Sequence, residues 1–194
     1  MRITGGEWRS RRLKGPRRGW PLRPTPDAMR ERVFAVLAGA VEGAVLLDLY
    51  AGTGAITLEA LSRGAARAVA VEKHPAAARL LRDNVAALGA TDRVDVLARD
   101  AAAAVRLLAR RGDRFDLVWA DPPFEAWSEG LAAVEAVADA GLLATHAIVC
   151  LECPADADVA PRTRLHVERD LRGGASRVVL LTRRSRNQGP GSAG

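Results

Sequence analysis

A chain of 194 residues with 48% hydrophobic and 27% charged residues is long enough to bury the core of one domain. It holds no apolar run of about 18 residues, and charge occupies the N-terminus where a signal peptide needs an apolar core, so a membrane span is excluded and a soluble cytoplasmic protein is expected. The formal net charge of +6 is uneven: residues 1–32 hold ten Lys or Arg against Glu7, Asp27 and Glu31, which leaves the remainder close to neutral. A basic arm with Trp8 and Trp20 interleaved predicts a nucleic acid partner, since arginines meet phosphates and indole rings stack on bases.

In chain order, strand-like pieces at 2–4 and 11–14 flank Gly5-Gly6 and predict a small N-terminal β-hairpin. Residues 15–24, rich in proline and glycine, predict a linker. Thr25 and Pro26 are expected as N-cap and first-turn residues of a helix reaching about Ala38, with Asp27 near the positive end of its dipole. Its apolar stripe is Met29, Val33, Val36 and Leu37, which puts Arg30 partly on another face.

From Gly43 onward, strands and helices alternate. Strands are predicted at 44–49, 66–71, 94–98, 115–120 and 147–152, with helices at 55–62, 75–88, 101–110 and 128–140. Continuous apolar strands between helices predict a parallel sheet covered on both faces, a doubly wound α/β fold. Segments 163–168 and 176–182 have only the turn Arg172-Gly173-Gly174 between them, so they form a hairpin that adds an antiparallel strand. The expected organisation is therefore a basic arm and linker over 1–24, a mostly parallel seven-stranded domain over 25–184 and a tail over 185–194. Cys150 and Cys153 form a C-x-x-C pair at the end of an apolar run, but no second pair supports a metal or redox site, and none is expected.

The chemistry gathers at strand ends. The first strand runs into Asp48-Leu49-Tyr50-Ala51-Gly52-Thr53-Gly54, whose glycines let the backbone turn tightly beside a ligand. The second strand ends in Glu72, able to accept from two ribose hydroxyls, and the third is followed by Asp100-Ala101. The fourth ends in Asp121-Pro122-Pro123-Phe124. Proline fixes its own φ and holds the preceding residue extended, so this is a stiff platform offering a carboxylate, carbonyls and an aromatic face to a flat ring bearing an amino group. A dinucleotide-binding dehydrogenase shares the Gly-x-Gly and the later acid, but its G-x-G-x-x-G/A fingerprint fails at Thr57. Asp48 at the loop suits an ammonium group rather than a pyrophosphate. A ligand with an ammonium, a ribose and an adenine is S-adenosylmethionine. The platform by itself suits adenine as well as guanine.

The segments RITGGEWRSRRL (2–13), RPTPDAMRERVF (23–34), DLYAGTGAITLEALSRGA (48–65), Glu72 and DPPF (121–124) together resemble the RsmD-type family of bacterial methyltransferases, collinearly over nearly the whole chain. The resemblance implies S-adenosylmethionine-dependent methylation of a guanine N2 amine in 16S ribosomal RNA, free or in an assembling small subunit, by a monomer without metal. It implies catalytic roles for Asp121, Pro122, Pro123 and Phe124. It implies cofactor contacts from Asp48, Tyr50, Ala51, Gly52, Thr53, Gly54, Glu72, Lys73, Asp100 and Ala101, although Lys73 and His74 by themselves read as a helix entry. Arg2, Trp8, Arg9, Arg11, Arg12, Arg23 and Arg30 are the expected RNA contacts. A binding protein on an inactive scaffold is the competing reading, and the complete set of strand-end groups speaks against it.

Overall fold

The computed structural model describes residues 1–15, 25–162 and 164–183. Arg23, most of the predicted linker and the predicted tail lie outside these residues. The elements are α1 (Asp27–Val36), α2 (Ala38–Val41), β1 (Val45–Asp48), α3 (Ala55–Ser62), β2 (Arg67–Val71), α4 (Pro75–Ala87), β3 (Val94–Leu97), α5 (Ala101–Arg111), β4 (Phe115–Ala120), α6 (Trp127–Asp139), β5 (Leu143–Pro154), β6 (Leu165–Gly173) and β7 (Ser176–Arg183). They form a seven-stranded sheet in the order β3-β2-β1-β4-β5-β7-β6. β1 to β5 pair in parallel, and β7 is antiparallel to both β5 and β6, as the final hairpin requires.

Successive strand residues serve opposite faces of the sheet, so each central strand feeds two cores. Leu46, Leu117, Trp119 and Cys150 pack with Val33, Phe34, Leu58, Leu61, Leu81 and Val85 from α1, α3 and α4. Leu47, Val118, Val149 and Cys153 pack on the other side with Val105, Leu108, Val134 and Val137 from α5 and α6. The two cysteines, three residues apart in one strand, therefore occupy opposite faces and are buried and free. No helix among the described residues is long and apolar enough to cross a membrane.

Two expectations are corrected and a third is sharpened. β5 is longer than predicted, because Leu143 already pairs with Phe115 before a register shift. Thr25 does not cap α1: Pro26 occupies the N-cap without a side-chain hydrogen bond, and the Thr25 hydroxyl points to acids at the sheet edge. The N-terminal hairpin forms, with Leu13 N donating to Met1 O at 3.1 Å, Ile3 N to Arg11 O at 3.0 Å and Ser10 N to Ile3 O at 2.9 Å around the antiparallel bridge Arg2 to Arg12, but it is short. Its pairing is short because Thr4 and Gly5 direct their N–H groups to Glu59 on α3 instead, at 2.8 and 2.9 Å.

Candidate active site

The register of the sheet brings the strand-end groups together. Asp48 pairs with both Ala70 and Trp119, so β1, β2 and β4 end at one level. Beyond β1 the chain turns on Gly52 (φ 54) and Gly54 (φ +85), left-handed conformations that side chains rarely adopt. A Cβ on Gly54 would stand 2.3 Å from Leu81 Cδ1, so glycine there also admits α4 against the turn. Tyr50, Ala51 and Thr53 belong to the same loop. Asn84 on α4 fixes it from below, donating through Nδ2 to Thr53 O at 2.9 Å and to Lys14 O at 3.0 Å while Oδ1 accepts from Lys14 N at 2.9 Å. Nothing in the sequence marked Asn84.

Each acid has a distinct environment. Asp48 is buried; its Oδ2 accepts from Thr57 Oγ1 at 2.7 Å, and its Oδ1 has no hydrogen bond of normal geometry among the described residues. Burial, opposed by the Thr57 hydrogen bond and reinforced by the charge of Glu72, pushes its pKa up to about 7. Thr57, the residue that broke the dinucleotide fingerprint, is thus the partner of this acid. Glu72 is buried with Oε2 accepting from Gly52 N at 2.9 Å and Oε1 from His74 N at 2.7 Å. A carboxylate has about four acceptor sites, so Glu72 is both anchored and able to receive further hydroxyls. Asp100 is exposed and caps α5, its Oδ1 accepting from Ala103 N at 2.7 Å, with Ala101 beginning the helix. Lys73 is exposed beside that edge.

At the end of β4, Pro122 is buried, Pro123 is exposed and extended (φ −51, ψ 143), and Phe124 is 40% exposed, leaving a ring face open. The Pro123 carbonyl is not free as expected of the platform, since it accepts from Ala126 N at 2.8 Å. Helix α6 touches the platform through Gly130, where a Cβ would lie 2.5 Å from Pro122 Cγ. Asp121 has a neighbour that sequence reading missed. Ala120 pairs with Leu151, so Asp121, just beyond β4, stands beside Glu152, which is still within β5. Thr25 Oγ1 lies 3.2 Å from Asp121 Oδ2 and 2.9 Å from Glu152 Oε2. Burial first, then the charge of Glu152, raises the Asp121 pKa well above its ordinary value, and burial raises that of Glu152. A carboxylate inside the apolar run AIVCLEC was the available signal for Glu152.

The predicted RNA contacts divide. Arg9, Arg11 and Arg12 are exposed on the arm. Arg2 is exposed and pairs with Asp27 at 3.2 Å. Trp8 is half-buried and the Arg93 guanidinium lies over its ring at 5.7 Å, so one of its faces is already taken. Arg30 is corrected outright: it is 1% exposed and donates to Thr25 O, Arg2 O and Asp27 Oδ1, with its Nε 3.8 Å from Glu59. It holds the arm to α1 and cannot reach a phosphate.

A glycine turn, acids closing successive parallel strands and a proline-stiffened acceptor, on a sheet whose last-but-one strand in space runs antiparallel, define a methyltransferase of the doubly wound α/β class. The family model described as Conserved hypothetical protein 95 matches residues 1–181. The chain is 39% identical over 154 residues to Ribosomal RNA small subunit methyltransferase D of Escherichia coli (strain K12), covering 78% of this chain and 74% of that one. It resembles the solved Escherichia coli chain yhhF at 33% identity and a TM-score of 0.79, over 95% and 98% of the two chains. A hypothetical protein of Thermus thermophilus superposes with a TM-score of 0.77 at 30% identity, over 93% and 98%. The chain belongs to this RsmD-type family.

Proposed function

We propose that this chain transfers a methyl group from S-adenosylmethionine to the exocyclic N2 amine of a guanine in 16S ribosomal RNA. The observation that carries the reading is the Asp121-Pro122-Pro123-Phe124 platform standing at the same sheet edge as the Gly52–Gly54 turn, with an acid on each side. The residues present fit the cofactor. The buried Asp48 Oδ1, with no side chain donating to it among the described residues, suits an ammonium; the anchored Glu72 suits a ribose diol, and the α5 entry at Asp100 suits the adenine amine.

When bound, the sulfonium supplies an already activated methyl carbon, so the protein needs no nucleophile of its own. Its residues align and accept. A guanine N2 lone pair is delocalised into the ring; an N–H donated to the Asp121 carboxylate favours a pyramidal nitrogen and points the lone pair at the methyl. Phe124 offers its exposed face to the base. A base paired or stacked in RNA cannot enter, so the nucleotide arrives unstacked or flipped out. Arg9, Arg11 and Arg12 hold the surrounding phosphates. The natural substrate is free rRNA or a small subunit in assembly, acted on by a monomer in the cytoplasm.

Incubation with labelled S-adenosylmethionine and rRNA or partial subunits from a strain lacking the protein, followed by mapping of the labelled base, tests this. Label on one guanine N2 is expected; label on an adenine, or none, rejects it.

A further inference from the structure

The chemistry of one hydroxyl shows how protons are shared in the site. A threonine hydroxyl has a single proton to donate and two lone pairs that accept. Thr25 Oγ1 contacts carboxyl oxygens of both Asp121 and Glu152, so it donates to one and accepts a proton from the other. Two ionised carboxylates there would leave one contact as oxygen against oxygen in a buried setting, which is the arrangement that forces a close acid pair to retain a proton. The shorter contact, 2.9 Å, is to Glu152 and the longer, 3.2 Å, to Asp121.

Neighbouring charges do not replace that proton. Asp48 on β1 adds negative charge, and Ser176 on β7 and the Cys153 thiol beside Glu152 are neutral. Arg30 on α1 donates to the Thr25 carbonyl, not to either acid. Arg177 on β7 is held by Asp170 and the Ala157 carbonyl.

We propose that Glu152 takes up the resting proton of Asp121 and that Thr25 is the relay connecting the two acids. This rests on the methyl-transfer reading above. At rest Asp121 carries the proton. When an amine docks, Asp121 passes its proton to Thr25 Oγ1 as Thr25 passes its own to Glu152. Asp121 becomes the carboxylate that accepts the amine N–H, and Glu152 becomes neutral. In the transfer the nitrogen lone pair forms the N–C bond while the S–C bond breaks with its electron pair going to sulfur. The cationic nitrogen then gives a proton to Asp121. The pair now holds two protons, and one passes to water as product leaves. Glu152 touches neither substrate nor donor, so it is a positioning and proton-holding residue.

Three comparisons test the relay. Glu152→Gln keeps its RNA KM and, because the neighbouring charge is gone, leaves Asp121 ionised without the relay, so the acid limb of its kcat–pH profile moves to lower pH than in the wild type. Thr25→Val lowers kcat while Thr25→Ser, which keeps the hydroxyl, restores most of the rate; equal rates for the two overturn the relay. Infrared spectroscopy of the free protein at neutral pH shows a protonated-carboxyl band that Asp121→Asn removes. If wild-type transfer proceeds but no such band exists, or if Glu152→Gln keeps the wild-type pH profile, the relay is wrong and the methyl-transfer reading stands. If the wild-type chain transfers no methyl to any RNA, the underlying reading fails and the relay with it.

Discussion

Glu72, buried, and Asp121, half-buried, each close a parallel strand with an acid, yet Glu72 is held by the backbone N–H groups of Gly52 and His74, whereas Asp121 meets a hydroxyl that also faces Glu152. An N–H can only donate, so Glu72 is committed to accepting and its position is fixed by the loop it supports. A hydroxyl donates or accepts, so Asp121 keeps two protonation states within reach. On the proposed methyl-transfer reading, one acid holds a ligand still and the other changes during the reaction.

The largest expected effect breaks the reactive side. Asp121→Ala lowers methyl transfer by about 100-fold or more while donor affinity, measured by calorimetry, stays within about twofold; near-normal turnover would remove Asp121 from the chemistry. Glu72→Ala does the reverse. Losing hydrogen bonds of about 1.5–3 kcal/mol to a charged group weakens donor binding by roughly 10- to 100-fold, with turnover at saturating donor largely kept. A loss of turnover without a loss of affinity would erase the contrast between the two acids.

Asp48 sits between these cases, and its titration supplies the next effect. Its folded pKa of about 7 exceeds the ordinary 3.8, so between those values the folded chain holds a proton that the unfolded chain has released, and this group's contribution to stability falls as pH rises through that window. A bound ammonium favours the ionised form. Donor affinity therefore rises with pH, by up to roughly tenfold per unit, and levels off above about 7. Below that pH the binding enthalpy depends on the buffer because a proton is released, and Asp48→Asn abolishes this dependence. A pH-independent affinity would show that no cation meets Asp48.

The smallest effect separates the acids from the surface charge. Arg9→Ala with Arg12→Ala flattens the log–log salt dependence of RNA binding by roughly 1.5 units and leaves donor affinity unchanged. Deleting the arm is a poorer test. Ile3 and Leu13 lie in the core, and Glu59, wholly buried, accepts from Thr4, Gly5 and Arg63 beside Arg30. Removing the arm would strip that acid of partners and destabilise the fold.

These contacts explain what sequence reading reached and where it stopped. Alternating faces and apolar strand length are local properties, and so the strands, the glycine turn and the acids at positions 48, 72, 100 and 121 were legible. The reading of Arg30 failed because a run of basic residues looks alike whether its charges face water or a buried acid; only the distant Glu59 and the Thr25 carbonyl decide it. Thr25 misled for a related reason. A threonine before a proline and a helix has the local signature of a cap, and what diverts its hydroxyl are acids about a hundred residues further on. Asn84 gave no local sign at all, since its partners Lys14 and Thr53 belong to separate segments.

Gly130 presses its backbone against Pro122 with no side chain between them. Because that helix is itself seated in the core by Val134 and Val137, the packed interior adds to the stiffness that the prolines and the Pro123–Ala126 bond already give the acceptor platform. The accuracy with which an amine can be aimed is then shared by the folded body behind the loop, and a single methyl group added at Gly130 would blunt it by pushing on Pro122 from behind.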